Sequence, residues 1–486
     1  MEAGLPADYP RLARKSPITE KAGIVHLGLG AFFRAHGAVY IQEAVEKSGG
    51  EWGIIGVSLQ SSGMHDKLAP QEFVYTAQEL GPDGETLRQI EIVQDVLVAR
   101  QEPEAVLTAM AEENIRIVTL TVTEKGYCYD PATGRLNRQH PDIVADLNNE
   151  LPVSAPGYLV RALQRRKVNG LPPFTVLTCD NLPDNGRIVN GIVLELAEAI
   201  DPDLARWIKA EGKFPATMVD RIVPATKAED VEALATKTGV LDAAPVLHEP
   251  FRQWVVEDDF VEAYGSNARP DLGAVGVELV DNVTAYEHMK LRMLNGTHSS
   301  LAYLGYLAGH ETISQTVADD VFEKFVKQLW SREIIPSFKA PDGVDINAYA
   351  DALFKRYANP AIQHRTWQIA MDGSQKLPQR ILGTVADDFA KAIDVPGLTT
   401  AIAAWMLYVG GTDMQGKPID VKDPLADQLR AIARAASTAA EKVTALLQVS
   451  QVFDPALADK LQSPVTKAYD KLVNKGVRET LKEITG

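Results

Sequence analysis

The chain has 486 residues, of which 45% are hydrophobic and 23% charged, enough for two domains with full cores and ordinary for a globular protein. A formal net charge of −16 argues against nucleic acid and against anionic membrane surfaces, and the two cysteines, Cys128 and Cys179, give neither a disulfide framework nor a metal-ligand spacing. No stretch approaches the ~18 apolar residues of a membrane span and no basic-then-apolar leader opens the chain, so a cytoplasmic protein with reduced thiols is expected.

In chain order, residues 24–30 read as a buried strand entering a glycine turn. Residues 52–58, 115–123 and 174–179 are further apolar, β-rich runs, and 35–47 and 102–111 are helical patterns between them. Alternating strand and helix predicts a parallel α/β sheet with right-handed crossovers. Residues 275–280 read as its last strand. Beyond 282 the period changes to that of helices, with segments expected at 286–307, 313–334, 346–356, 378–392, 424–447 and 464–484. Asp423 before Pro424 reads as an N-cap with proline at the first helical position. The expected organisation is therefore a Rossmann-type α/β domain over 1–281 followed by a mainly α-helical domain over 282–486.

Gly28-Leu29-Gly30 stands where the first strand meets the first helix, and glycines there let the backbone approach a pyrophosphate. Phe33 replaces the third glycine of the usual fingerprint. After the second strand come Leu59-Gln60-Ser61-Ser62, with neither the carboxylate that holds a ribose hydroxyl nor the arginine that holds a 2′-phosphate; Asp66 is the nearest acid. NAD is expected, with NADP not excluded. Polar residues follow two other strands: Thr123-Glu124-Lys125, and Asp180-Asn181 through Asn185, where ligands bind in open α/β sheets.

Within residues 290–300, Lys290, Asn295 and His298 interrupt an otherwise apolar helical stretch. At about 100° per residue, Asn295 and His298 fall roughly 140° and 80° round from Lys290, on one broad face. A lysine, an amide and an imidazole together can move a proton at a carbon–oxygen centre without a metal. Zinc polarisation would need a clustered Cys/His set, and the nine histidines are scattered in sequence.

Seven segments carry a resemblance: residues 28–36, 121–127, 179–186, 214–224, 251–255, 290–298 and 372–376. Together, in this order, they resemble the polyol-specific long-chain dehydrogenase/reductases, which include mannitol 2-dehydrogenase, arabinitol dehydrogenase and fructuronate reductase. The resemblance implies a zinc-independent oxidoreductase whose active site lies between its two domains. It implies Lys290 as the proton-exchanging base, Asn181 and Asn295 as donors to the substrate oxygen, and His298 and Lys376 as substrate contacts. Nucleotide contacts are implied on Gly28, Leu29, Gly30, Ala31, Phe32, Phe33 and Arg34, with Glu124 and Asn181 beside them. Mannitol-type members carry arginine eight positions before the second lysine; here Gln368 stands there. The segment 364–380 is most similar to fructuronate-reducing members and carries His364, Arg365, Lys376 and Arg380. If it is one helix, Arg365 and Lys376 share a face and can hold a carboxylate with Arg380. The expected reaction is hydride transfer between NAD(H) and a sugar-derived ketone, D-fructuronate to D-mannonate, with mannitol or arabinitol as alternative substrates and a non-catalytic dinucleotide sensor as the remote alternative. The expected partner is a small sugar acid or polyol, and the expected state a monomer or weak homo-oligomer.

Overall fold

The computed structural model describes residues 9–18, 21–131 and 133–486. The chain folds as two compact units, one ending at Thr284 and the other running from Ala285 to Gly486.

The first unit is built on five parallel strands in the order Val93–Val98, Gly53–Ser58, Ala22–Leu27, Ile117–Leu120, Thr175–Thr178. The last two are buried at every position, as strands covered on both faces must be. Alternation along each strand sorts side chains to opposite layers. Val25, Leu27, Val118, Leu120 and Val176 pack one way, with Val106, Leu107, Leu159, Ile192 and Val193 from covering helices. Ile24, Ile54, Val93, Ile117 and Leu177 pack the other way, with Val39, Tyr40, Ile41 and Trp254. The order reverses at Ala22–Leu27: the chain first adds strands to one side of it and then crosses to the other. Such a reversal opens a crevice at the strands' carboxyl ends.

The strand expected last does not join this sheet. Glu278–Val280 pairs with Gln253–Glu257 in a separate sheet completed by Thr217–Asp220. A third sheet joins Val246–His248 to the hairpin Tyr75–Gly81 and Gly84–Ile90.

The second unit is helical, but its helices are shorter than the periodicity suggests. The stretch expected at 286–307 is α-helix at Thr284–Met289, π-helix at Lys290–Gly296 and α-helix again at Thr297–Ala308. A π turn also ends the helix Asp320–Leu329, and a third occupies Pro378–Leu382. Residues 424–447 form two helices, Ala426–Ala435 and Ala439–Leu447, with a box cap at Thr438 and Glu441 starting the second. Asp423 is not the N-cap of a helix begun by Pro424. Its carboxylate accepts from Ser374 N and Oγ at 2.7 and 2.6 Å and from Leu425 N at 2.8 Å, tying two segments together. Pro464 lies inside Pro455–Lys475 rather than at a helix start. Pro396–Val409, unmarked by any periodicity, is the buried centre of the unit. Among the described residues no helix is long and apolar enough to cross a membrane.

Candidate functional site

In the first unit the carboxyl ends of Ala22–Leu27, Gly53–Ser58 and Ile117–Leu120 border a cavity of about 690 Å³. Gly28, Leu29 and Gly30 line it, with Gln60, Ser61 and Lys67 on one side and Thr121, Val122, Thr123 and Lys125 on another. The two glycines are there for different reasons. Gly28 has φ +90°, and a Cβ on it would stand 2.3 Å from the Thr121 carbonyl oxygen, so the fold itself demands glycine. Gly30 has an ordinary φ of −86°, and the nearest atom to its Cβ would be 3.8 Å away. Nothing in the protein fills that space, which is what close approach of a ligand requires; the residues present fit a dinucleotide.

The turn is underpinned from below. His26 Nδ1 lies 2.7 Å from Thr119 Oγ1, and its Nε2 lies 3.0 Å from Thr121 Oγ1 and 3.1 Å from the Gly28 carbonyl. Its ring stacks on Phe33 with centroids 3.4 Å apart. Burial pushes the His26 imidazole down to about 3, so it stays neutral. The far edge is held by Asp180, whose carboxylate accepts from Val122 N and Thr123 N at 2.9 Å each and from Tyr127 Oη at 2.7 Å. Thr123 sits at φ +65°, a strained conformation for a β-branched residue, and those bonds keep it there. Sequence reasoning missed His26, and it placed Asp180 at a strand end without foreseeing that it reaches back to Thr123, because neither role follows from a spacing.

Of the expected nucleotide contacts, the structure brings Gly28, Leu29 and Gly30 to the cavity. Ala31, Phe32, Phe33 and Arg34 form the short helix Ala31–Ala35 that follows. Phe33 is buried against His26, and Arg34 donates to the Ala244 carbonyl at 2.5 Å and lies over Tyr75. Glu124 is exposed on the turn Glu124–Tyr127, outside the lining. Asn181 is exposed beyond the end of Thr175–Thr178, whereas Asn185 is buried and bonds Thr217 through both its backbone groups. Asp66 pairs with Ser62 Oγ at 2.7 Å and does not line the cavity, whose ribose-side wall is Gln60, Ser61 and Lys67.

In the second unit the π turn changes the relation of Lys290 to Asn295. An i→i+5 turn stacks residues five apart, closer than the α-helical estimate allowed. Widening the ladder frees carbonyls, and aromatic donors take them. Trp330 Nε1 donates to the Met293 carbonyl (3.2 Å) and to Thr297 Oγ1 (2.8 Å), and Tyr357 Oη donates to the Leu294 carbonyl (2.9 Å). The half-buried Asn295 side-chain amide has no hydrogen bond among the described residues. A Cβ on Gly296 would stand 2.5 Å from the Arg380 carbonyl oxygen, so the 290–296 and 378–382 turns meet backbone to backbone there. Arg292 is held by Ser337 Oγ at 2.9 Å and by Asp387.

Around His298 the structure gathers His364, Tyr357, Arg356 and Arg380. The His298 ring centroid is 4.8 Å from His364 and 4.9 Å from Tyr357. Burial, then neighbouring His364, Arg356 and Arg380, hold the His298 imidazole well below its ordinary range. Burial and three cations, Arg356, Arg380 and Lys376, push His364 down to about 4. Arg380 is half-buried and, among the described residues, makes one side-chain hydrogen bond, to Ser299 Oγ at 3.2 Å. Lys376 donates to the Met371 carbonyl at 2.6 Å, and burial and Arg380 lower it. The segment 364–380 is not one helix. Thr366–Ile369 and Gly373–Leu377 are separated by Asp372 in the left-handed region, so Arg365 and Lys376 do not share a helical face. Arg365 is half-exposed, 4.0 Å from Glu311. Arg356, which acts on both His298 and His364, lies 24 positions upstream of Arg380 in the helix Ile346–Ala358, with no motif to mark it.

Comparison with known proteins agrees with both halves. Residues 22–266 match the mannitol dehydrogenase Rossmann domain and residues 282–473 the mannitol dehydrogenase C-terminal domain. The D-mannonate oxidoreductase of Escherichia coli is 45% identical over 463 residues, covering 94% of each chain. The mannitol 2-dehydrogenase of Aspergillus fumigatus is 39% identical over 472 residues, covering 95% of this chain and 92% of its own. The Pseudomonas fluorescens mannitol 2-dehydrogenase, solved as a ternary complex with NAD and D-mannitol, superposes with a TM-score of 0.82 at 35% identity over 99% of this chain and 97% of its own. The protein is an oxidoreductase belonging to the mannitol dehydrogenase family.

Proposed function

We propose that the protein transfers hydride reversibly between NAD(H) and a six-carbon sugar acid, reducing the ketone of D-fructuronate to D-mannonate. The observation that carries the choice of an acid is the cationic cluster. Arg356, Lys376 and Arg380 act together on His364, and apart from burial the groups acting on Arg380 are the hydroxyls of Tyr303 and Tyr357. A buried guanidinium is costly without an anion, and a substrate carboxylate supplies one through two parallel bonds. His364 Nδ1 is also buried without a hydrogen-bond partner, as a group awaiting a ligand would be. The 45% identity to a D-mannonate oxidoreductase supports the same reading.

Gly28, Leu29 and Gly30 would hold the dinucleotide in the first unit's cavity, and when bound it supplies the hydride. As the carbonyl oxygen gains charge, Asn181 and Asn295 donate hydrogen bonds to it. Lys290, as an ammonium, gives that oxygen its proton in reduction and, neutral, removes it in oxidation. His298, kept neutral by burial and by its cationic neighbours, orients a substrate hydroxyl rather than adding charge. The polyol reading is favoured by the neighbour solved with D-mannitol and by the 39% identity to a mannitol 2-dehydrogenase.

Two substitutions test the carboxylate site. Arg380→Met and Lys376→Met should each raise KM for mannonate by about tenfold or more, the loss of a charge-assisted bond. Mannonate kinetics unchanged in both would remove the basis for choosing an acid.

A further inference from the structure

Outside the proposed reaction groups, one cluster of metal-ligating side chains stands out. Cys128, His140 and Asp142 each present a ligand atom, and those atoms lie within 4.8 Å of one another. All three line the first unit's cavity, on the side formed by Gly126, Val153 and Ser154. We propose that Cys128, His140 and Asp142 form a binding site for a thiophilic divalent cation of the Zn²⁺ class.

The donor set is one thiolate, one imidazole and one carboxylate, which suits zinc and excludes magnesium or calcium, whose shells are all oxygen. In a tetrahedral site donors lie roughly 3.5 Å apart, given bonds of about 2.0–2.3 Å, so closing the cluster takes about an ångström of side-chain movement. The parts able to move are the partly exposed ones, since the His140 and Asp142 side chains are 35% and 44% exposed. The thiol is the fixed part. Cys128 is 4% exposed, its backbone is held in the left-handed region at φ +52°, and its carbonyl accepts from Asn137 N at 3.0 Å. His140 stands beside Asp142, its Nδ1 accepting from Asp142 N at 3.2 Å as the cap of the helix Pro141–Asn148, which leaves Nε2 to face the metal. On binding, the Cys128 Sγ–H bond is replaced by an Sγ–metal bond and the proton leaves to solvent; no electron moves. The other thiol, Cys179, is 4% exposed within the opposite apolar layer, so a metal–sulfur signal reports Cys128. None of this depends on what the cavity otherwise holds, nor on the reaction proposed above.

The test is a Co²⁺ titration of the full-length protein freed of metal by chelation, followed by displacement with Zn²⁺. One equivalent should bind at about micromolar concentration or tighter and give the near-ultraviolet sulfur-to-cobalt charge-transfer band. Cys128→Ser should abolish the band, and His140→Ala and Asp142→Asn should each weaken Zn²⁺ at least tenfold. Retention of the wild-type far-ultraviolet circular dichroism shows that each variant is folded. If Cys128→Ser does not fold, the two exposed-residue variants decide. Cobalt bound without the band, a band that persists in Cys128→Ser, or unaltered Zn²⁺ affinity in His140→Ala and Asp142→Asn would overturn the site.

Discussion

Substituting the two glycines of the first turn separates the demands of the fold from those of a ligand. In Gly28→Ala the new methyl must adopt φ +90° and stand 2.3 Å from a backbone carbonyl that cannot swing away. The left-handed conformation costs roughly 1–2 kcal/mol and the overlap another 1–3, so a loss of about 2–5 kcal/mol is expected. In Gly30→Ala the backbone is already at φ −86° and the nearest atom is 3.8 Å off, so stability should change by less than about 0.5 kcal/mol. The same methyl would intrude on a diphosphate, and NADH affinity should fall at least tenfold, about 1.4 kcal/mol. Urea unfolding and NADH fluorescence titration of both variants read the two effects independently. Wild-type NADH affinity in Gly30→Ala, or wild-type stability in Gly28→Ala, would refute the reasoning.

Three further outcomes follow from the geometry. Lys290→Ala should lose about 10²–10⁴-fold in turnover while NADH titration still shows binding, since the nucleotide contacts proposed lie in the other unit; retention of a tenth of the wild-type rate at neutral pH would remove the proton role from Lys290. Gly296→Ala should cost about 1–3 kcal/mol in unfolding free energy and lower kcat, because its methyl, 2.5 Å from the Arg380 carbonyl, must part the two π turns that carry Asn295 and Arg380; a neutral variant would mean that their contact is not what sets the geometry. Folded His26 stays neutral down to about pH 3, whereas in the unfolded chain it protonates near pH 6.5. Between those values the unfolded state binds more protons, so stability falls as pH drops through 6.5, by on the order of 2 kcal/mol at pH 5 for this one group, and His26→Gln should flatten the denaturation profile between pH 7 and 5.

The parts of the fold legible in the sequence were those with a strong local signature. Central strands such as Ile117–Leu120 are buried on both faces and show as continuous apolar runs. The Gly28–Gly30 turn and the Lys290–His298 stretch carry their chemistry in short spacings. Hidden features are of three kinds. The helix Pro396–Val409 is buried almost all round and so has no polar face to make a period. The π turns at 290–296 and 378–382 differ from α-helix by a single ladder step, and the first is held by distant Trp330 and Tyr357, which no local pattern reveals. Groups that act through space were invisible too: Asp180 reaching back to Thr123, Arg356 reaching His364, and Cys128 meeting His140 and Asp142. The face expected to be shared by Arg365 and Lys376 assumed a continuous helix that Asp372 interrupts.

The substrate acid is tested most directly by the ratio of kcat/KM for D-mannonate to that for D-mannitol, measured with NAD under one set of conditions. A pocket that leaves Arg380 desolvated and unpaired when no carboxylate is present should favour mannonate by at least about 10²-fold. Mannitol oxidised as well as or better than mannonate would contradict the assignment and make the protein a polyol dehydrogenase.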